Sequence, residues 1–171
     1  MMTLSAFVPS EQATLVSVFY QIGIWMSHID DDGDAADAAE KKALMKVLEK
    51  TASKYKHNTL ISNMAREAHR QESNHKRWMK DADDAIAQAV AAGKIVKSRL
   101  PEEAVADYKA AVMFVAESVA KAFEEGADGQ KQGVFSKIIG LFCGCEMNAE
   151  RKISPTEDSA LTELSEALAK I

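Results

Sequence analysis

The chain has 171 residues, of which 47% are hydrophobic and 27% charged, and its formal net charge is −5. This balance excludes a disordered protein, and the length fits one domain that buries a core of its own. No apolar run reaches the roughly 20 residues needed to cross a bilayer, and the first residues lack the basic and apolar regions of a secretory signal. We therefore expect one cytoplasmic domain, residues 1–171, without a membrane span.

Helical spacing dominates the first part of the chain. Three prolines and eight glycines are few for this length, and no segment alternates as a half-buried strand would. A first helix is predicted after Ser10, where apolar residues recur at intervals of three and four. The second begins at the acidic capping pair Asp37 and Glu40 and fades between Lys54 and Asn58. These patterns predict an all-α protein.

A long third helix is predicted from Thr59 to about Ala92, because Gly93 is a usual helix stop. One of its faces is apolar and includes His75, which we interpret as a core polar group that needs a hydrogen-bond partner. Four cations, called the basic row below, lie on the opposite face of the same predicted helix: Arg66, Arg70, Arg77 and Lys80.

The remaining helices complete a compact bundle of about six. After a polar connector, 94–98, Pro101 is predicted as the first residue of a strongly apolar fourth helix. A loop and a fifth helix around residues 135–142 follow. The capping box from Ser154 to Glu157 then begins a last helix that runs to Ala169.

The two halves of the chain, about 11–92 and 101–171, have a similar order of elements. Residues 22–49 align with residues 139–166 without a gap, and the capping boxes of the two halves fall on each other. Each half then contains an apolar helix, a polar loop and a capped helix. This register predicts a pseudo-two-fold internal repeat, although helical composition alone gives a similar number of identities by chance.

An acidic segment follows the predicted end of the first helix and consists of Asp30, Asp31, Asp32, Gly33 and Asp34. A helix C-terminus carries partial negative charge, so additional carboxylates there favour a bound cation. The spacing is not that of an EF-hand, and we predict a low-affinity site for Ca²⁺, Mg²⁺, Mn²⁺ or Zn²⁺ with Asp30, Asp32 and Asp34 as ligands. Asp31 and His28 are further candidate ligands. The alternative is a solvated capping loop ahead of the second helix, in which His28 complements the helix dipole.

The charge distribution supports a second hypothesis. Between Lys41 and Lys80, eleven Lys or Arg residues stand against three Asp or Glu residues. The basic row would then bind an anionic partner, either an acidic protein surface or nucleic acid. An acidic chain with 6% aromatic residues makes nucleic acid the weaker choice. The basic row could also be an ordinary solvated face, or it could dock on the acidic segment of a second copy in a homo-oligomer.

No pattern in the chain indicates catalysis. It has no nucleophile motif, no phosphate-binding glycine loop and no zinc-finger spacing. A di-iron bundle needs two Glu-x-x-His pairs, and Glu72 with His75 has no counterpart elsewhere in the sequence. We therefore expect a protein that is not an enzyme.

Two blocks of the chain share a pattern: Ile22 to Leu48, with its acidic Asp-Gly loop and capped helix, and Ile153 to Asp158 with its apolar continuation. These blocks resemble the TerB-like proteins of tellurite resistance. The resemblance implies a compact all-helical bacterial domain with two similar halves. It further implies a cytoplasmic stress-associated protein that binds divalent metal and works with other proteins in a larger complex. The second block departs from this pattern, since Ala149 stands where the first has the aspartate of the Asp-Gly pair.

Overall fold

A computed structural model describes residues 2–29, 38–124 and 155–171 of the chain. These residues form seven α-helices and no strand, so the all-α prediction is confirmed for them. Short 3-10 helices, Leu4–Ala6 and Ala82–Asp84, precede the first and the fifth of these α-helices. The α-helices are α1 Pro9–Ser27, α2 Ala38–Lys54, α3 Thr59–Arg70, α4 Glu72–Lys80, α5 Ala85–Arg99, α6 Glu102–Glu124 and α7 Pro155–Ala169.

Part of the predicted architecture lies outside this description. The predicted fifth helix, 135–142, falls outside the described residues, and so does most of the aligned segment on which the internal repeat depends. The repeat therefore stays a prediction. Within the three described ranges, no helix is both long enough and apolar enough to span a membrane.

Helix α1 is buried on all of its sides. Every residue from Leu15 to Ile24 is buried, including the polar Ser17 and Gln21. A helix whose circumference is almost wholly apolar cannot face water on any side. Accordingly, α2, α3, α4, α5 and α6 all pack against it. The core of the described residues is therefore built around α1.

The prediction of one long third helix is wrong. The chain leaves helical geometry at Gln71, with φ −83° and ψ 52°, and again after α4. Helices α3, α4 and α5 take its place. A straight helix of the predicted length would extend about 50 Å, which exceeds the width of a domain of this size. The breaks allow Ala68, His75 and Ala82, which the sequence places on one face, all to be buried.

Gly93 does not end a helix but lies within α5, which continues to Arg99 through the predicted polar connector. A Cβ atom at this position would lie 3.0 Å from Tyr108 Cε1 and closer still to Ile171 Cδ1. Tyr108 is held in place, since its buried hydroxyl donates a hydrogen bond to the Ala89 carbonyl at 2.7 Å. Gly93 therefore serves the close packing of α5 against α6 and Ile171.

The last two described helices begin within one residue of their predicted starts. Helix α6 begins at Glu102, directly after Pro101, whose carbonyl accepts a hydrogen bond from the backbone N–H of Val105 at 3.3 Å. Helix α7 begins at Pro155 and ends at Ala169, as predicted. The fixed φ angle of proline suits the first turn of a helix, which explains why both starts are readable in the sequence.

Replacement of Gly93 by alanine should lower the free energy of unfolding by about 1–3 kcal/mol, the usual cost of overpacking a core. Helix propensity alone would predict a gain of about 1 kcal/mol, so the sign of the change separates the two effects. The loss should be smaller in an Ile171→Val background, because valine lacks the Cδ1 atom. Urea denaturation of the four proteins measures this, and a more stable Gly93→Ala single variant would contradict the close packing.

Candidate functional site

His28 forms the C-terminal cap of α1, and its side chain is exposed. Its backbone N–H donates to the Ile24 carbonyl at 3.2 Å, and Ser27 Oγ donates to the same carbonyl at 2.8 Å. No basic residue lies in the last turn of α1, so no side chain of that turn neutralises the partial negative charge of the helix end. The other predicted metal ligands lie outside the described residues: Asp30, Asp31, Asp32 and Asp34.

A close contact holds together the two helices that flank the acidic segment. Leu44 of α2 occupies the space that a Cβ atom at Gly23 of α1 would need. Gly23 lies four residues before the end of α1, and Leu44 lies six residues after the start of α2. Both helix ends are thus within about two turns of the contact. The contact therefore brings α1 and α2 together near the two helix ends that the acidic segment connects in the sequence.

A divalent-cation site in this chain would depend on the acidic segment. Within residues 2–29, 38–124 and 155–171, no cluster of three or more His, Cys, Asp or Glu side chains is arranged to hold a metal ion. Hard cations bind best to carboxylate oxygens, and His28 offers only one nitrogen from the described part of the chain. The aspartates would therefore supply most of the ligands.

The basic row is not a stripe along one helix, contrary to the prediction, because the helix break places Arg66 and Arg70 on α3 and Arg77 and Lys80 on α4. All four side chains are exposed. Arg70 Nη1 lies 3.1 Å from Glu67 Oε1, and such an exposed pair contributes little stability. The other three cations make no ion pair with any residue that the structure describes.

The sequence prediction missed a second group of cations, the lysine row on α2, formed by Lys42, Lys46, Lys50 and Lys54. A spacing of four places them on one side of the helix. Lys54 Nζ lies 4.0 Å from the ring centre of Phe114 on α6, within cation–π distance. Partial burial, and then the proximity of Lys54, lowers the pKa of Lys50. The interval of four residues between these lysines is the sequence pattern from which the row could have been predicted.

Two clefts on the described surface are lined by both polar and apolar side chains. One of about 560 Å³ lies between the N-terminal segment, α1 and α3, and Glu67 is the charged residue among its lining. Another, of about 230 Å³, lies beside the connection between α2 and α3. There, His57 Nε2 and Asn58 Nδ2 lie 3.3 and 3.0 Å from Asp107 Oδ2. Asp107 thus connects α6 to the turn between α2 and α3.

His75 is a buried polar group with a hydrogen-bond partner, as predicted. The residue is 2% exposed, and its Nε2 donates to the Ala68 carbonyl at 2.7 Å. The ring stacks on that of Tyr20 on α1, with centroids 4.1 Å apart and planes inclined by 14°. Burial lowers the pKa of His75 and raises the pKa of Tyr20. This cluster joins α1, α3 and α4.

Comparison of the chain with models of protein families, with curated proteins and with solved structures finds no match. The resemblance to TerB-like proteins therefore stays a prediction that rests on the two sequence blocks alone. The function has to be inferred from the residues of this chain and their geometry.

Replacement of Arg66, Arg77 or Lys80 by glutamine should change the free energy of unfolding by less than about 0.5 kcal/mol at each position, because these exposed side chains make no ion pair within the described ranges. Arg70→Gln should cost no more than about 0.5 kcal/mol, since it loses only the exposed pair with Glu67. Urea unfolding followed by circular dichroism measures both. Larger losses would show that these side chains stabilise the fold and would weaken their assignment to binding.

Proposed function

We propose that the chain is a non-enzymatic interaction module that binds an anionic partner through the basic row. One observation carries the proposal: Arg66, Arg77 and Lys80 are exposed and make no ion pair within the described part of the chain. The stretch around them is also strongly cationic, with eleven Lys or Arg residues against three Asp or Glu residues. Like charges of this kind repel each other, and an approaching anionic surface relieves the repulsion.

An acidic protein surface suits this module better than nucleic acid. The net charge of −5 opposes the approach of a long polyanion. Single-stranded nucleic acid also binds by stacking its bases on aromatic side chains. None of the aromatic side chains whose exposure the structure describes is exposed, and Phe114, beside Lys54, is half-buried. The module therefore lacks a stacking platform in the described residues.

The proposal predicts salt-sensitive binding to an acidic probe. Fluorescence anisotropy with a labelled poly-glutamate peptide should show binding that weakens as the ionic strength rises, because salt screens exposed charges. A triple variant, Arg66→Gln, Arg77→Gln and Lys80→Gln, should bind about tenfold more weakly, since each exposed charge contact contributes about 0.2–1 kcal/mol. A labelled duplex DNA tested in parallel should bind more weakly than the peptide.

A matched control carries the same loss of charge at other positions. Lys94→Gln, Lys109→Gln and Lys170→Gln remove three cations that lie on α5, on α6 and directly after α7, and none of the three is in an ion pair within the described residues. This triple control should bind the peptide with an affinity within about twofold of that of the unmodified protein. It loses only the long-range attraction that three positive charges provide. Equal weakening in both triple variants would contradict a localised binding surface, and tighter binding of DNA would redirect the proposal to nucleic acid.

A second candidate function is the binding of a divalent cation by Asp30, Asp32 and Asp34. It is favoured by the Gly23–Leu44 contact, which holds the ends of α1 and α2 close together, and by the absence of a basic residue from the last turn of α1. Cation binding would relieve repulsion among the aspartates and alter the angle between the two helices. Both functions suit a TerB-like stress-associated protein that works in a complex, which is what the resemblance implies.

Calorimetric titration of the metal-free protein with Ca²⁺, Mg²⁺, Mn²⁺ and Zn²⁺ tests this second function. The expected result is a weak binding isotherm for at least one of these ions that disappears in an Asp30→Asn, Asp32→Asn variant, because the amide oxygens carry no charge. A matched control is Asp83→Asn, Asp84→Asn, which removes two exposed aspartates before α5 and should leave the isotherm unchanged. Heat that is absent, or that survives in the first variant, would remove the cation site.

A further inference from the structure

The connection between α3 and α4 consists of a single residue. Helix α3 ends at Arg70, α4 begins at Glu72, and Gln71 between them has φ −83° and ψ 52°, outside the helical region. A change in the backbone dihedral angles of one residue therefore suffices to reorient α4 relative to α3. Gln71, called the α3–α4 joint below, lies where the sequence pattern predicts uninterrupted helix.

His75 connects the two sides of the joint. Its Nε2 donates to the carbonyl of Ala68 at 2.7 Å, so a side chain of the first turn of α4 caps a carbonyl in the last turn of α3. The last four carbonyls of a helix have no donor within the helix and need one from elsewhere. Because Ala68 and His75 lie on opposite sides of Gln71, a rotation of α4 about the joint would break this hydrogen bond.

The surroundings of His75 favour the neutral ring. The imidazole stacks on Tyr20 of α1, and the indole of Trp78 on α4 lies 5.5 Å away between ring centroids. Nδ1 is buried and has no hydrogen-bond partner among the described residues, so a second proton would find no acceptor there.

The groups around the ring have opposite effects on the protonated form of His75. Lys41 from α2 and His69 from α3 disfavour the imidazolium, whereas Glu72 of α4 and the Ala68 carbonyl favour it. Burial is the largest influence, and the pKa of His75 lies below its ordinary value as a result.

We propose that His75 is a pH-sensitive contact that holds the α3–α4 joint closed: the neutral ring keeps α4 against α1 and α3, and the protonated ring leaves its site and releases α4. Opening would move Arg77 and Lys80 relative to Arg66 and Arg70. Acidification would therefore rearrange the cations of the basic row. The inference stands on the joint itself and does not depend on whether the basic row binds a partner.

The direction of the pH dependence follows from the proton balance. In the open form His75 is solvated and has its ordinary pKa of about 6.5. Because the pKa is lower in the closed form, the open form binds more protons, and closure is lost as the pH falls below about 6.5. For one group, the ratio of open to closed molecules then rises by up to about tenfold per pH unit.

Amide hydrogen exchange of the full chain at a series of pH values from neutral to mildly acidic tests the proposal. After correction for the intrinsic pH dependence of exchange, the protection of α4 amides should fall by up to about tenfold per pH unit below about 6.5, while that of α6 amides stays constant. In His75→Gln, which keeps an N–H donor but does not titrate, the protection of α4 should not depend on pH. His57→Gln, at a 62% exposed histidine side chain between α2 and α3, is the matched control and should retain the dependence.

Three results would overturn the proposal. Equal loss of protection in α4 and α6 would indicate general unfolding, and a pH dependence that persists in His75→Gln would assign it to another group. If His75→Gln does not fold, an NMR titration of the His75 ring in the unmodified protein tests the proposal instead. A ring that protonates at about 6.5 without any loss of α4 protection is the third contrary result, whereas a ring that stays neutral until α4 opens supports the proposal.

Discussion

The burial of α1 on every side is the constraint on which the rest of the described structure depends. A helix without a solvated face needs neighbours around its whole circumference, and five other helices supply them. Three of these contacts are Gly23 against Leu44 of α2, Tyr20 against His75 of α4, and Phe19, whose ring centroid is 6.5 Å from that of Tyr108 of α6. Short helices that change direction surround α1 more completely than one long helix would.

This constraint explains which parts of the fold could be predicted from the sequence. Helices α1, α2, α6 and α7 have local signals, such as Pro155 at the start of α7, and these signals do not depend on distant contacts. The break at Gln71 could not be predicted, because Ala68 and His75 keep a helical spacing across it while the chain turns around α1. Gly93 was ambiguous for a related reason: a helix stop and a close helix contact both favour a residue without a Cβ atom.

The features of the candidate sites also differ in how far the sequence predicts them. The members of the basic row could be identified from the sequence alone. Their distribution over α3 and α4 depends on the break at Gln71, which no local sequence pattern predicts. The lysine row on α2 follows from a spacing of four and was predictable in principle. For His75, the apolar face indicated that a hydrogen-bond partner was needed, yet the carbonyl of Ala68 lies seven residues away, beyond the reach of helical neighbours. The role of the aspartates in the acidic segment as metal ligands is predicted from the sequence alone.

The position of Trp78 has a consequence for how the protein can be observed. Its indole is 3% exposed and lies 5.8 Å from the ring centroid of Tyr20, on the helix that the α3–α4 joint orients. The chain has two tryptophans, and the other, Trp25, lies on α1 near the acidic segment. Indole emission shifts with the polarity of its surroundings. The two regions of this protein whose movement is in question are the α3–α4 joint and the junction between α1 and α2. Each therefore has a tryptophan close to it in the sequence.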